Sequence, residues 1–383
     1  MTATALFLAP GLLLLGAAAG WLAGRRLRGG TVPPAVPDLY VQGLNHLLGE
    51  RNDEAIQTFL AALRRHPESL DILLALGRLF RRRGELERAL TVHQYLLEQP
   101  DLTAETRQAV LLEIARDYLK SGILNRAESI LRELLQRSPG DREGLEALAE
   151  LYELGGDWEQ AIGVRRALAR EGGGEQRKTV ALLYGELAGA AIGKGDLAGA
   201  ERFMADALAE DARCFRIPVL RGHLAYRREE WRQAAEAWAG LLRDESVGVL
   251  LLVLEPFLEA LQHCTGDPRC RVWRDLLLQY GSGPQAIGRL MDAMEKVEGR
   301  AAVAAYLERL LRERPELPVL QLFVRAGGEP GAVPAPVAET IRRLPLAVPP
   351  LACHSCGYQT GEFYWRCPSC RNWGTFVDGG IRA

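Results

Sequence analysis

The sequence predicts an all-α fold: a superhelix of stacked helix pairs with an N-terminal transmembrane helix and a small C-terminal metal domain. Three observations carry that reading. An uncharged apolar run extends from Ala5 to about Gly24, alanines recur at a near-constant step through the middle, and two Cys-x2-Cys pairs lie near the C-terminus. The chain has 383 residues, enough for several domains or one long repeat array. Lys plus Arg total 47 against 49 Asp plus Glu, a net charge of −2, so the overall charge gives no sign of a nucleic-acid partner.

Residues 1–24 read as a membrane anchor. About twenty apolar residues suffice to cross the hydrocarbon core. Arg25, Arg26 and Arg28 follow the run and no charged side chain precedes it. A cleaved signal peptide, or a twin-arginine export signal, carries its positive charge before the apolar stretch. The order here instead leaves the arginines, and everything after them, in the cytoplasm. Residues 25–37, rich in Gly and Pro, form a short tether.

Residues 38–326 read as a helical repeat array. Ala55, Ala89, Ala127, Ala161, Ala200 and Ala234 each fall early in a second helix, with steps of 34, 38, 34, 39 and 34. A 34-residue helix–turn–helix period is the tetratricopeptide signature. In the first unit Gly43 and Ala55 allow two helices to approach closely, and Phe59 fills the gap beside them. The longer steps call for longer helices or loops after units two and four. Beyond Gly248 the pattern loosens but stays helical, with a degenerate unit between Pro284 and Pro315. In such arrays the first helices line a concave face. The register puts Arg78, Arg81, Arg82, Arg116 and Lys120 there, followed by Glu143, Glu146, Glu150 and Glu153. Two bands of opposite charge either select a partner or form a solvated face; the C-terminal metal unit is also a candidate occupant. Residues 327–350 read as a linker.

Residues 351–383 hold Cys353, Cys356, Cys367 and Cys370. Each Cys-x-x-Cys turn presents two thiolates, and two turns complete a tetrahedral site for one metal ion, iron or zinc. Disulfides or a redox dithiol are the competing reading, but the redox motif needs a βαβ setting that is absent here. A segment this short needs a metal or cross-links to fold, so the ion is structural. Tyr358, Phe363, Tyr364, Trp365, Trp373 and Phe376 read as a shell around it rather than a stacking platform for bases, because only Arg366, Arg371 and Arg382 supply cations. His354 lies inside a knuckle whose four cysteines already close the site. Cys214, Cys264 and Cys270 read as small buried residues, with a Cys264–Cys270 pair as the alternative. Thiolate ligands point to a reducing compartment.

No phosphate-binding loop, nucleophile elbow, His-Glu-x-x-His or dinucleotide fingerprint occurs, so the chain reads as a binding protein and not an enzyme. The order of anchor, Arg-Arg, repeats and four-cysteine unit resembles the bacterial lipopolysaccharide assembly protein B family. The run from Cys353-His-Ser-Cys356-Gly-Tyr to Cys367-Pro-Ser-Cys370-Arg-Asn-Trp373 carries most of the likeness. The resemblance implies a rubredoxin-like metal domain of zinc-ribbon type whose ligands are the four cysteines. It also implies a single-pass protein of the bacterial inner membrane, on its cytoplasmic side, that regulates lipopolysaccharide synthesis. Such proteins help the membrane protease FtsH degrade LpxC, the deacetylase at the committed step of lipid A production, and gather other lipopolysaccharide enzymes. A general membrane-tethered scaffold and a rubredoxin-like electron carrier are the alternatives. The sequence leaves a homo-oligomeric state open.

Overall fold

The computed structural model describes residues 38–66, 69–172, 174–243, 247–281, 283, 286–328, 335–346 and 350–377. The expected anchor, tether and Arg382 lie outside these residues. Among the described residues no helix is long and apolar enough to cross a membrane. The chain divides into two compact units, one ending at Pro139 and the other beginning at Gly140.

The first unit holds three helix pairs: α1 (Asp38–Leu48) with α2 (Asn52–Arg65), α3 (Leu70–Arg82) with α4 (Leu86–Leu97), and α5 (Ala104–Lys120) with α6 (Leu124–Arg137). The second continues with α7 (Arg142–Gly155) and α8 (Trp158–Gly172), α9 (Gly174–Lys194) and α10 (Leu197–Glu210), α11 (Arg216–Arg227) and α12 (Trp231–Ala239). A short turn of helix, α13 (Val247–Leu250), precedes α14 (Leu254–His263), α15 (Pro268–Gly281), α16 (Ile287–Val297), α17 (Arg300–Glu313) and α18 (Leu317–Arg325). The degenerate unit expected between Pro284 and Pro315 is the α16–α17 pair. A further helix, α19 (Ala335–Arg343), forms inside the stretch read as linker. Glu339 pairs there with Arg342 and Arg343 one turn on, and Arg325 of α18 donates to the carbonyls of Arg342 and Leu344.

All six marker alanines are fully buried on the second helix of their pair. The two long steps are absorbed by first helices, α5 with 17 residues and α9 with 21. A second ladder runs five residues ahead of the alanines, at Glu50, Gly84, Gly122, Gly156, Gly195 and Glu229. Each has a positive φ, between 57° and 80°, in the turn joining the two helices. Glycine accepts that conformation freely, whereas Glu50 and Glu229 hold it at a cost of about 1 kcal/mol.

A third relation sets helix spacing within a pair. Sixteen positions after the small residue of the first helix comes the side chain that covers it: Phe59 over Gly43, His93 over Gly77 and Trp238 over Gly222. A Cβ at any of these glycines would strike the ring. Trp238 is fully buried and its indole N–H donates to the carbonyl of Val219 at 3.2 Å.

The basic band expected in the first unit is largely neutralised from within. Glu113 and Asp117 on α5 are buried. Arg81 pairs with Glu113 at 2.5 Å and Asp117 at 2.8 Å, Arg78 and Arg116 also reach Glu113, and His93 Nδ1 lies 2.5 Å from Asp117. Burial alone would push the Glu113 carboxyl up. The charge and hydrogen bond of Arg81, with the charges of Arg78 and Arg116, outweigh burial and hold it below its ordinary value. Arg82 and Lys120 are exposed.

Cys264, just after α14, and Cys270, in the first turn of α15, form a disulfide with Cα atoms 6.1 Å apart. That is the alternative pairing rather than two isolated small residues; Cys214 is buried and free.

Candidate metal centre and its docking surface

The last described segment is a three-stranded antiparallel sheet in the order β2-β1-β3, with β1 (Leu351–Cys353), β2 (Gln359–Thr360) and β3 (Phe376–Val377). Leu351 opposes Thr360 and Cys353 opposes Phe376. Cys353 therefore stands at the end of the central strand, and the first knuckle is the turn between β1 and β2. In that knuckle Gly357, at φ 75°, donates its N–H to the Cys353 carbonyl at 2.8 Å. The second knuckle repeats the bond from Arg371 to Cys367 at 2.9 Å, with Arg371 at φ 63°. These matching turns bring two pairs of thiols face to face.

The four sulfurs lie within 4.8 Å of one another. Cys353 and Cys370 Sγ are 3.7 Å apart, and Cys356 and Cys367 Sγ 3.8 Å. A tetrahedron with metal–sulfur bonds of about 2.3 Å has edges of about 3.8 Å. The spacing fits one ion held by four sulfurs and is far too wide for disulfides, and all four cysteines are free. The thiols differ in acidity. Burial opposes ionisation of Cys353, but the Thr375 hydroxyl at 3.2 Å and the N–H groups of Cys356 and Ser355 bring it down to about 6. Burial and the three neighbouring sulfurs push Cys370 up to about 12. Four thiolates this close need a cation, which is the chemistry of a structural metal site. His354 is exposed and outside the sulfur cluster; its N–H donates to the carbonyl of Thr375.

Phe363 and Phe376 are buried, with Tyr358, Tyr364 and Trp365 packed round them. This aromatic set does more than enclose the knuckles. Leu351, Phe363 and Phe376 belong to the same apolar cluster as Phe257, Leu290 and Leu307 of the helices. The metal unit and the helical pairs of the second unit thus share one core.

The polar half of the contact centres on Glu153 of α7. Its side chain is fully buried; one oxygen pairs with Arg165 at 2.7 Å, and the other with Arg366 at 3.1 Å and the Trp373 indole N–H at 2.9 Å. Glu150, one turn earlier, pairs with Arg371. Trp158 meets Trp373 edge-on, and Trp365 contacts Phe215 and the guanidinium of Arg216, the latter 4.8 Å from its ring centre. Burial lowers Arg366 from its ordinary value against the pull of Glu153 and Glu150.

Of the acidic band read from sequence, Glu150 and Glu153 are occupied by the metal unit, and Glu146 pairs with Arg142. The metal unit therefore covers part of the first-helix face of α7. Sequence reasoning missed Arg165 and Arg216, which close the contact from the helical side. Arg165 was detectable as the residue sixteen after Ala149, the position held elsewhere by Phe59 and Trp238.

Residues 352–378 match the rubredoxin metal binding domain family, and residues 40–101 and 112–176 match the tetratricopeptide repeat family. Lipopolysaccharide assembly protein B of Escherichia coli (strain K12) is 30% identical over 381 residues, covering 95% of this chain and 96% of its own length. The protein of the same name from Haemophilus influenzae is 26% identical over 385 residues, covering 94% of this chain and 95% of its own. Together with the repeat fold and the four-sulfur site, 30% identity along 95% of the chain shows that it belongs to the lipopolysaccharide assembly protein B family.

Proposed function

We propose that this protein is a non-enzymatic adaptor of the bacterial inner membrane that promotes degradation of LpxC by FtsH and so limits lipid A synthesis. The observation that carries the reading is the 30% identity to lipopolysaccharide assembly protein B along 95% of the chain. The apolar run followed by Arg25, Arg26 and Arg28 supports a tether with the repeats on the cytoplasmic side. Tethering beside a protease in the same membrane raises the effective concentration of a client without any new contact. Repeat helices offer the extended surface such a client needs.

In this account the metal unit is a structural part of the adaptor. When bound, the ion cross-links the two knuckles and supplies no open coordination position. Arg366, Arg371 and Trp373 reach Glu150 and Glu153, Trp365 meets Arg216 and Gly374 packs near Leu182, so that the ribbon lies against the faces of α7, α9 and α11. Glu153 orients two guanidinium groups and an indole at once. Clients are met by surfaces that this clamp leaves open.

The test is the half-life of LpxC in the native bacterium with and without depletion of this protein. A longer half-life on depletion, with no further lengthening when FtsH is also absent, is the expected result. An unchanged half-life overturns the reading. Membrane fractionation of the full chain against residues 25–383 tests the tether: release of the shorter chain is expected, and retention of both on the membrane refutes it.

A further inference from the structure

We propose that the cleft between the second knuckle and helices α8, α9 and the α10–α11 turn docks a segment of a partner protein that presents an acidic side chain beside an apolar one. The inference deepens the adaptor reading, and its biological use rests on that reading. The cleft has a volume of about 790 Å³ and is partly enclosed. That is room for a few side chains of one polypeptide. A bilayer would meet only its rim.

Four cations line it: Arg165, Lys178, Arg213 and Arg371. Arg165 and Arg371 are held in place by Glu153 and Glu150 behind them. Lys178 pairs with Glu175 at 3.3 Å, but both side chains are mostly exposed, 63% and 82%. Such a pair is worth at most about 1 kcal/mol and exchanges readily for a better-placed carboxylate. Asp211, the other acid of the lining, accepts the backbone N–H of Arg213 at 3.0 Å and so belongs to its own turn. The guanidinium of Arg213 is exposed and has no hydrogen-bond or ion-pair partner among the described residues. Counted with the acids behind its wall, Glu150, Glu153, Glu175 and Asp211 balance all but one of Arg165, Arg366, Arg371, Lys178 and Arg213, so the cleft keeps one net positive charge. Between the cations, Leu182, Phe215 and Trp373 supply the apolar wall. Arg213 with Lys178 fits a carboxylate, and the wall fits an apolar neighbour.

The site also depends on the metal unit being seated. Arg371, Trp373 and Gly374 come from the ribbon, and Gly374 packs near Leu182 and Phe215. Loss of the ion removes one side of the cleft, so that client capture and metal occupancy are coupled.

The experiment probes the metal-loaded full chain with an array of short synthetic peptides in which Asp or Glu, Lys or Arg, and Leu or Phe are varied independently. Fluorescence anisotropy on the best binder follows, with the double variant Arg213→Glu, Lys178→Glu. Both side chains are exposed and outside the Glu153 cluster, so an unchanged melting temperature is the control for folding. Peptides with an acidic residue next to an apolar one should be captured selectively, and the double variant should bind them at least about tenfold more weakly. Equal capture of acidic and basic peptides overturns the proposal, as does unchanged affinity in the double variant. Capture of phosphatidylglycerol vesicles, lost in the variant while no peptide binds, overturns it in favour of a lipid surface. If the variant loses the peptides while LpxC turnover stays normal, the cleft stands and its link to the adaptor role falls.

Discussion

Replacing Glu153 by Ala tests how the metal unit is held. The carboxylate is fully buried and is the shared partner of Arg165, Arg366 and the Trp373 indole; the two arginine side chains are only 16% and 17% exposed. Its removal leaves two guanidinium groups in a poorly solvated contact without their counter-charge. Breaking a buried ion pair by deleting one partner costs about 3–5 kcal/mol. With each 1.4 kcal/mol equal to a factor of ten, that is roughly a hundredfold to a few-thousandfold shift in the docking equilibrium. We expect hydrogen exchange in residues 351–377 to accelerate and the tryptophan emission, which includes Trp365 and Trp373 at the contact, to move toward that of solvated indole, while helices of the first unit keep their protection. Glu153→Gln, which keeps an acceptor for the indole but loses the charge, should fall between Ala and the parent. If Glu153→Ala lowers stability by less than about 1 kcal/mol and leaves exchange in the ribbon unchanged, the carboxylate does not clamp the metal unit.

Cys353→Ser combined with Cys356→Ser should abolish metal retention in elemental analysis and remove exchange protection from residues 351–377; a double variant with full metal content would refute the four-sulfur site. Gly77→Ala should cost about 1–3 kcal/mol in denaturant titrations, because the new Cβ strikes the ring of His93, yet become neutral or stabilising in a His93→Ala background. Glu229→Gly should stabilise the chain by about 0.5–1 kcal/mol by relieving a left-handed residue, and any loss of stability would argue against the turn assignment. Glu113 has a folded value below its unfolded one of 4.5, so its stabilisation is present above that pH and is lost as the pH falls through the folded value. Glu113→Gln should therefore flatten the acid limb of the stability curve below about pH 5, and a limb parallel to the parent's would remove Glu113 from the account.

Local and periodic features were legible in the sequence. The alanine ladder from Ala55 to Ala234 predicted six helix pairs because a close approach between helices admits only a small side chain, whatever surrounds it. The two Cys-x2-Cys turns predicted a compact four-sulfur set, since each turn is closed by its own backbone. What stayed hidden depends on residues brought together by stacking. Arg78 and Arg81 looked like a solvated or client-binding band, yet Glu113 and Asp117, about one repeat later, neutralise them from the next first helix. Nothing local marks His93, although it occupies the position of Phe59 sixteen residues after a helix glycine. Glu153 looked like one acid among four, because nothing local shows that three donors, one from the helices and two from the ribbon, converge on it. Helix α19 was obscured by the Gly, Pro and Ala around it, although Glu339 with Arg342 and Arg343 carries a helical pattern.

Arg371 ties the ribbon to the order in which the chain is made. At the position where the first knuckle has Gly357, the second uses an arginine held in the left-handed conformation, and that side chain finds Glu150 on α7. The backbone cost of about 1–2 kcal/mol falls on the ribbon by itself, whereas the compensating ion pair exists only across the contact. During synthesis α7 emerges long before Arg371, so Glu150 is available before its partner exists. A ribbon excised from its helices should therefore be a weaker metal binder than the same sequence in place.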